Sequence, residues 1–550
     1  MQTVTVRTRR GIKSGLTATA TRSVRTSASA LILWGGLHVS ADAAEQTASQ
    51  WKLPRAVQIQ RSQEVLIEVD PNSVIRSAVP AALFGFNIPW MNFQRGYWRE
   101  NQVRPEVIAW LKPFSGAVYR YPGGEWSNWF EWEKAAGPGS SRPEQYTTFG
   151  STKAEFGFDE FLDFVKAVNG VPLVTVNLKG TKGAPWSDQQ AVESNVEWLQ
   201  HSVQREGRAV ARGNAQFCQT GTKCPVEWWE LGNELDWGKG AWTHTEYVNR
   251  AREVGLAMKN IDPAIKLIAH TTSSPWSTKR VIGEKPKARD FDSAVGAGLG
   301  DLAYGYAYHP YYDGISIPAA NHYMERAINY LRPTASTGKP PPIFVTEHGR
   351  WPNQPKFGKW ETTWIKTGNL GGAVSTADFL LSQMVIPDVR AAMWHSLGAR
   401  GPWQLFYLDA AADALYPNVV YWALRVLREG LIGDALKVSV SSPNTSGYRG
   451  GYDVRAVFMR DSTHTRYSLL TINRAEKEQK ARLLFPEWAG RKVKGQQYYV
   501  SGDSDALANT KERKNAVTMR SRAVGLRFDD AGQAEISLPA FSVSSIVITP

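Results

Sequence analysis

Short β-rich segments alternate with helical segments through the middle of the chain, and this alternation constrains the fold more than any other feature. A β-rich segment followed by a helix, repeated many times, predicts a parallel sheet with helices packed on its faces. The candidate strands are residues 82–87, 117–121, 172–177, 226–231, 265–270, 302–308, 343–347 and 391–395. Because eight is the number of parallel strands that closes a (β/α)8 barrel, the sequence predicts this α/β fold, the TIM barrel.

The C-terminal part of the chain has a different pattern. From Gly433 onward the helical periodicity is lost and short alternating apolar runs follow one another. Such runs predict an antiparallel β-sandwich. The domains we predict are a signal peptide at 1–43, a leader at 44–80 with a strand able to join the sandwich, the barrel at 81–432 and the sandwich at 433–550.

The N-terminus has the pattern of an export signal. Basic residues precede a short apolar run at 29–37, and Ala41-Asp42-Ala43 follows as a small-residue cleavage pattern. This order predicts a signal peptide and a secreted protein, periplasmic or extracellular. The pair Arg9-Arg10 would suit a twin-arginine route. In an oxidising compartment the two cysteines of the chain, Cys218 and Cys224, are candidates for a disulfide.

Composition narrows the classes of partner. The formal net charge is +13, and removal of residues 1–43 would leave about +8. This basic balance suits an acidic polysaccharide or an anionic surface, but no block of Lys and Arg interleaved with aromatics predicts binding to nucleic acid. No apolar segment reaches the roughly 18 residues of a membrane span, so we expect no integral membrane association. The 22 Trp residues are many for this length, and Trp faces stack well on sugar rings.

Two glutamates follow the predicted strands 4 and 7. Strand 4 continues into Asn233 and Glu234, and strand 7 ends at Glu347. In a barrel of this kind the catalytic groups come from the carboxyl ends of the strands, so the two side chains are expected to face each other. Two opposed carboxyl groups are what a retaining glycoside hydrolase needs, here with Glu234 as general acid/base and Glu347 as nucleophile. Glu230 lies on the same face of strand 4 and is a rival or supporting acid.

Three further motifs are Y-R-Y-P-G-G-E-W-S-N-W-F-E-W-E-K-A-A-G-P from Tyr119, V-N-L at Val176 and W-E-L-G-N-E at Trp229. With the Asn233-Glu234 pair they resemble the clan A glycoside hydrolases, and within that clan the family 51 type α-L-arabinofuranosidases. The resemblance covers roughly residues 82–431, and the C-terminal sandwich is similar to the accessory domain of such enzymes. The resemblance implies an arabinofuranosidase-like hydrolase that cleaves a plant or microbial polysaccharide or oligosaccharide without a metal or another cofactor.

The resemblance also implies roles for further residues. Arg120 would orient the carboxylate of Glu347, Asn233 would contact the sugar 2-hydroxyl, and Tyr311 would donate a hydrogen bond to Glu347. The other supporting residues are His309 near the mouth, Trp394 as an apolar floor for the sugar, and Asn177. Where those relatives have Asp-Glu-Trp at the nucleophile, this chain has Thr346-Glu347-His348. Related activities on xylosides, glucuronides or internal linkages therefore stay open.

Three alternatives follow from the same residues. One is an endo- or exo-β-glycosidase of the xylosidase, glucanase or glucuronidase type that acts on an acidic exopolysaccharide. A second is a barrel that only binds exopolysaccharide, although such a site has no need for two carboxylates that repel each other. A third is a polysaccharide lyase with Tyr311 as base. The nine His residues show no H-E-x-x-H or similar spacing, so no metal site is predicted.

Overall fold

The computed structural model describes residues 50–147, 150–206, 226–238, 240–275, 288–331 and 340–550. Within these residues the central feature is a closed barrel of eight parallel strands, which confirms the predicted fold. Each strand pairs with its neighbours in chain order, and strand 8 pairs with strand 1. Barrel strands 1 to 8 are Gly85–Asn87, Val118–Tyr121, Val171–Val176, Trp228–Leu231, Lys266–His270, Gly305–Ala307, Ile343–Arg350 and Val389–His395.

Helices alternate with the barrel strands. The helix His244–Ile261 begins at a capping box, in which the Thr243 side chain accepts from the Glu246 amide. The helix Leu370–Met384 is buried on all sides, because both the barrel and the C-terminal domain pack against it. The other α-helices are Trp90–Tyr97, Pro105–Leu111, Phe158–Ala167, Asp188–Glu206, Ala288–Leu299, Ile317–Leu331, Ile365–Gly368 and Val419–Glu429.

Strand ends differ from the prediction by three residues at three places. Residues Ala81–Phe84 form a 3-10 turn, so strand 1 begins only at Gly85. Strand 6 is confined to Gly305–Ala307, and strand 7 continues past Glu347 to Arg350. The apolar residues of the turn are buried whether the backbone is extended or helical, so hydrophobicity alone did not locate these ends.

Side chains that point into the barrel form two layers. Nearest the amino ends of the strands lies an apolar layer that includes Val118, Leu173 and Phe344. Because side chains alternate along a strand, the residues two positions further on point to the same interior. Those residues are polar: Arg120, Thr175 and Thr346. The barrel therefore has an apolar base and a polar layer directly beneath its mouth.

The second domain is a curled sheet around its own apolar core, as predicted. Its strands lie in the order Arg520–Arg527, Lys492–Val500, Ser542–Thr549, Tyr467–Asn473, Val454–Arg460, Asp434–Ser442, Val65–Arg76, Gln479–Leu484 and Gln533–Leu538. The N-terminal strand Val65–Arg76 lies inside this sheet, antiparallel to one neighbour and parallel to the other. The short strand Ile59–Arg61 adds a second parallel pairing. The sheet is thus mixed, not purely antiparallel.

A buried ion cluster joins the two domains. Asp378, on the helix Leu370–Met384, accepts from Arg455 and Arg474 of the C-terminal sheet region and from the Tyr452 hydroxyl. Asp378 is fully buried. Burial alone would raise the pKa of Asp378, but the two guanidinium groups lower it. One carboxylate therefore neutralises charges from two segments of the sheet domain.

The described residues include no helix with the length and apolar character needed to cross a bilayer. Cys218, Cys224 and the predicted signal peptide lie outside the described residues.

Replacement of Asp378 by Asn is expected to destabilise the protein by about 3–5 kcal/mol, because it leaves two buried guanidinium groups without their counterion. Urea unfolding followed by tryptophan fluorescence measures this loss. Asp301→Asn is the matched control, since Asp301 pairs with Arg252 at the surface and should cost less than about 1 kcal/mol. Similar losses for the two variants would contradict the proposed role of the Asp378 cluster.

Candidate active site

The guanidinium of Arg120 lies in the polar layer and is fully buried. Its Nε donates to Oε2 of Glu230 at 2.5 Å, and its Nη1 donates to Oε1 of Glu347 at 2.8 Å. Its Nη2 donates to Oδ1 of Asn233 at 2.6 Å. Because arginine stays protonated in proteins, Arg120 places a fixed positive charge between two carboxylates. Strand 2 thus supplies one cation to residues from strands 4 and 7.

A β-bulge in strand 7 aims the Glu347 side chain. Val345 pairs with Ala392 and His348 pairs with Trp394, so strand 7 has one extra residue between these pairs. In a regular strand the consecutive residues Thr346 and Glu347 would point to opposite faces. Here Thr346 bonds to Glu230 while Glu347 bonds to Arg120, so both reach the barrel interior. The bulge therefore lets one strand place two polar side chains in the site.

The second oxygen of Glu347 has a donor of its own and an imidazole ring beside it. The Tyr311 hydroxyl donates to Glu347 Oε2 at 2.7 Å, from a two-residue strand that pairs with the end of strand 7. Nδ1 of His395, at the end of strand 8, lies 3.5 Å from the same oxygen. That nitrogen also lies 2.6 Å from Nδ2 of Asn87, at the end of strand 1. Both oxygens of Glu347 are thus fixed, as a group that must attack one atom requires.

Glu234 reaches the mouth through a left-handed turn after strand 4. Gly232 has φ 79° and Glu234 itself has φ 44°, a conformation that side-chain-bearing residues seldom adopt. The Asn128 side chain bonds to both the amide and the carbonyl of Asn233, which holds this turn in place. Oε1 of Glu234 lies 2.8 Å from Nδ1 of His309. Backbone conformation that is uncommon elsewhere is often found at functional sites.

Glu234 and Glu347 face each other across the mouth. One carboxylate oxygen of each and a ring nitrogen of His309 all lie within 4.8 Å of one another. Retaining glycosidases hold their carboxyl groups about 5–5.5 Å apart, whereas inverting enzymes need roughly 6.5–9.5 Å. The spacing observed here matches the shorter class.

The two carboxyl groups are held in different protonation states. Burial alone would raise the pKa of Glu347, but the positive charges of His395, His309 and Arg120 outweigh burial and lower it. Burial raises the pKa of Glu234, and the hydrogen bond with His309 offsets only part of that rise. The surroundings therefore separate the two pKa values, so that Glu347 loses its proton first and Glu234 keeps its proton to higher pH.

The mouth opens into a cavity of about 450 Å³. Glu234, Glu347 and His395 line it, and its aromatic walls are Tyr311, Trp237, Trp351 and Trp403. The rings of Tyr311 and Trp403 lie 4.8 Å apart, and those of Trp351 and Trp403 lie 5.8 Å apart. An apolar pocket with a few convergent polar groups is typical of a small-molecule site.

Trp394 was predicted to form the floor of this cavity, but it does not line the cavity. It is 1 % exposed and its ring packs against His348, on the side of strand 8 that faces the helices. Because side chains alternate along a strand, the next residue, His395, points into the mouth instead. The prediction placed the right strand but the wrong face.

Asn177 has a structural position instead of a place in the cavity wall. Its amide donates to the carbonyls of Phe130 and Gly180 and accepts from the amides of Lys179 and Gly180. These bonds use both ends of the side-chain amide. Asn177 therefore stabilises the loop after strand 3.

Sequence reasoning missed several residues of the site. The sequence singles out Thr346 only as a departure from a motif, and it gives no sign that His395, Asn87 and Trp403 belong to the site. The high Trp content was the one available signal for the aromatic walls. Nothing in the spacing could show the bulge in strand 7, since a bulge changes pairing and leaves composition unaltered.

Replacement of Arg120 by Met should destabilise the protein by about 3–5 kcal/mol and change its pH dependence. In the wild type the pKa of Glu347 lies below its unfolded value, so this group stabilises the fold above about pH 4.3 and loses that effect as the pH falls. Without Arg120 the pKa of Glu347 should rise above its unfolded value, so stability should fall as pH rises. The stability gap between the variant and the wild type should therefore widen from pH 5 to pH 8 in urea unfolding.

Arg76→Met is the matched control for this prediction. Arg76 is also buried, but its guanidinium donates to the backbone carbonyls of Gln383, Ile386 and Val389. It should lose stability by an amount that changes little between pH 5 and pH 8. A pH-independent gap for Arg120→Met would contradict the charge assignment.

Comparisons with known proteins agree with this geometry. Residues 110–294 match a family model described as the alpha-L-arabinofuranosidase 1 domain. An intracellular exo-α-(1→5)-L-arabinofuranosidase 1 of Bacillus subtilis is 32 % identical over 179 residues, which are 32 % of this chain and 34 % of the relative. The corresponding enzyme of Streptomyces lividans is 31 % identical over 175 residues, 30 % of this chain and 25 % of the relative. The aligned part thus spans about a third or less of each relative's length.

These relatives contradict one prediction. Both are named intracellular, as are relatives from Halalkalibacterium halodurans and Acetivibrio thermocellus. The prediction of a secreted or periplasmic protein is therefore wrong. It depended on nine residues, 29–37, between basic residues and an A-x-A pattern, and so short a pattern is weakly specific.

Solved structures extend the similarity to both domains. The α-L-arabinofuranosidase of Thermotoga maritima, in its arabinose complex, is 18 % identical with a TM-score of 0.71, and the match covers 88 % of this chain and 100 % of that one. AbfB, a family 51 α-L-arabinofuranosidase of Bifidobacterium longum, is 19 % identical with a TM-score of 0.71 over 88 % and 99 % of the two chains. The predicted resemblance is confirmed: the chain is similar to the family 51 type α-L-arabinofuranosidases of glycoside hydrolase clan A.

Proposed function

We propose that this protein is a retaining glycoside hydrolase that releases α-L-arabinofuranosyl groups from a plant or microbial polysaccharide or oligosaccharide. The observation that carries the proposal is the facing pair of Glu234 and Glu347, within 4.8 Å and with opposite shifts in pKa. Retention of configuration needs this spacing and this division of protonation states. The sugar class comes from the matched segment, whose relatives are named arabinofuranosidases.

The first half of the reaction forms a glycosyl ester. A carboxylate oxygen of Glu347 bonds to the anomeric carbon while Glu234 gives its proton to the glycosidic oxygen. The bond between the anomeric carbon and that oxygen breaks, and the aglycone leaves as an alcohol. Arg120 and Tyr311 hold Glu347 in the attacking orientation.

The second half restores both carboxyl groups. Glu234, now ionised, takes a proton from a water molecule whose oxygen bonds to the anomeric carbon. The ester bond breaks and Glu347 returns to its carboxylate form. Glu234 is 24 % exposed as a side chain, against 5 % for Glu347, which suits the residue that must exchange protons with water.

Asn233 is suited to contact the sugar. Its Oδ1 accepts from Arg120, which leaves both hydrogens of Nδ2 to donate. A donor beside the acid/base can bond to the 2-hydroxyl, an interaction that strengthens as positive charge develops on the ring. His395 and the aromatic walls would enclose the same ring.

The departure from Asp-Glu-Trp at the nucleophile does not argue against an arabinofuranosyl substrate. His348 is 1 % exposed and packs against Phe379 and Trp394 behind the barrel wall. Thr346 lies below the mouth, bonded to His309 and Glu230. Both differences therefore lie outside the cavity that the sugar would occupy.

The site does not support the lyase alternative. A lyase base must accept a proton, whereas the Tyr311 hydroxyl donates to Glu347. Burial, together with the charge of Glu347, raises the pKa of Tyr311 well above its ordinary value. Tyr311 therefore keeps its proton in the pH range of catalysis.

Glu347→Gln is expected to abolish turnover, because no other group can bond to the anomeric carbon. Glu234→Gln should lower kcat/KM about 10²–10⁴-fold on an arabino-oligosaccharide, but far less on an aryl arabinofuranoside with an activated leaving group. On the activated substrate, Glu234→Gln should accumulate an arabinosyl ester on Glu347, detected by mass spectrometry of the digested protein.

The control for these variants is Glu253→Gln, an exposed position on the helix His244–Ile261 that should behave as the wild type. Aryl xylosides, glucosides and glucuronides complete the substrate panel. Equal and mild effects of the two active-site variants would overturn the mechanism. Turnover of a xyloside or glucuronide without release of arabinose would instead favour the β-glycosidase alternative.

A further inference from the structure

A hydrogen-bonded chain beneath the mouth connects the acid/base to the nucleophile side of the site. Nε2 of His309 lies 2.7 Å from Oγ1 of Thr346, and Oγ1 of Thr346 lies 2.7 Å from Oε1 of Glu230. Oε2 of Glu230 accepts from Arg120, which also holds Glu347. Glu230 and Thr346 take no part in the bond changes at the anomeric carbon.

The proton positions along this chain follow from counting donors. Glu230 is a carboxylate paired with the Arg120 guanidinium, so it can only accept, and it also accepts from Thr175 at 2.6 Å. Thr346 has one hydroxyl proton, which must therefore point to Glu230. The oxygen of Thr346 is then left as an acceptor, and His309 must supply a proton on Nε2.

This arrangement fixes the tautomer of His309. With its neutral-form proton on Nε2, the ring presents the lone pair of Nδ1 to Glu234. A carboxylate facing a lone pair is repelled, whereas a carboxylic acid can donate to it. Burial lowers the pKa of His309, but Glu347 and Glu234 outweigh burial and raise it, and the charged ring donates from Nδ1 to the Glu234 carboxylate. Once the ring is neutral, with its proton on Nε2, the proton between Nδ1 and Glu234 belongs to the carboxyl group, which is the form needed for the first step.

We infer that Glu230 and Thr346 are positioning residues that hold the His309 proton on Nε2 and thereby keep Glu234 protonated to higher pH. The inference deepens the proposed function, on which its kinetic test rests. Glu230 does not line the cavity, so it supports Glu234 and does not compete with it as the acid. Its own side chain is fully buried beneath the mouth.

Other charges face His309 from the surrounding strands and set the background for its titration. Glu347 Oε2 lies 3.9 Å from Nδ1 of His309. The other titratable groups that act on His309 or on its partner Glu234 are Arg120 on strand 2, His270 on strand 5, His395 on strand 8, Asp236 in the loop after strand 4, and Tyr311. None of these changes when Thr346 is replaced, so a comparison of variants isolates the Thr346 contact.

Thr346→Val removes the hydroxyl with little change of shape. His309 can then move its proton to Nδ1 and donate to the Glu234 carboxylate, so the basic limb of the kcat/KM profile should shift to lower pH by about one unit. At pH 7 and above, turnover of an arabino-oligosaccharide should fall about tenfold, while an activated aryl arabinofuranoside should be affected much less. Thr346→Ser keeps the hydroxyl and should restore the wild-type limb.

Thr175→Val is the matched control, because it removes the other hydroxyl that donates to Glu230 and leaves the contact between Thr346 and His309 in place. It should leave the basic limb at its wild-type pH. A limb that moves equally in Thr175→Val and Thr346→Val, or that stays in place in Thr346→Val, would overturn the inference.

A second measurement does not depend on activity. At a pH where His309 is neutral, nitrogen-15 NMR of histidine-labelled protein should show the ring proton on Nε2, in a signal identified by its absence in His309→Gln. In Thr346→Val the proton should appear on Nδ1. An Nδ1 proton on the neutral His309 of the wild type would overturn the inference, whereas failure to hydrolyse arabinofuranosides with the neutral ring protonated on Nε2 would overturn the proposed function alone.

Discussion

The buried guanidinium of Arg120 is the interaction on which the site depends. It donates to Glu230, Glu347 and Asn233, three groups that come from different positions on strands 4 and 7. Two carboxylates in a nearly dry interior would repel each other strongly without a cation between them. The planar fork of an arginine can serve both carboxylates at once, which the single ammonium group of a lysine could not do with the same geometry.

The barrel prepares this interaction by layers. Val118 belongs to the apolar base, and two residues later Arg120 reaches the polar layer above it. The apolar base excludes water from below, so hydrogen bonds in the polar layer form in surroundings of low dielectric. The carboxyl groups of Glu234 and Glu347 then lie one step higher, where they line the cavity. The apolar layer thus lies at one end of the barrel, and the cavity lies at the other.

The sequence predicted the eight strands in order and the opposed pair of glutamates, because parallel strands impose a regular alternation on the chain. The prediction of individual side-chain positions failed where a shift of one residue in strand register changes which side chain faces the barrel interior. Trp394 and His395 are neighbours, and only the phase of strand 8 decides which one lines the mouth. The residue types around Thr346 and Glu347 likewise do not indicate the bulge in strand 7. The aromatic walls depend on Trp237, Trp351 and Trp403 from separate loops, whose meeting is a property of tertiary packing.

The match to known relatives and the geometry of the site concern different parts of the chain, and together they support the same pair of glutamates. The family model ends at residue 294, so it includes Arg120, Asn233 and Glu234 but not Glu347. Glu347 is proposed as the nucleophile because it bonds to Arg120 and faces Glu234. The residue before it, Thr346, bonds to His309 and Glu230 instead of lining the cavity. A negatively charged side chain at that position would be repelled by the Glu230 carboxylate, whereas the neutral hydroxyl of Thr346 can donate to it.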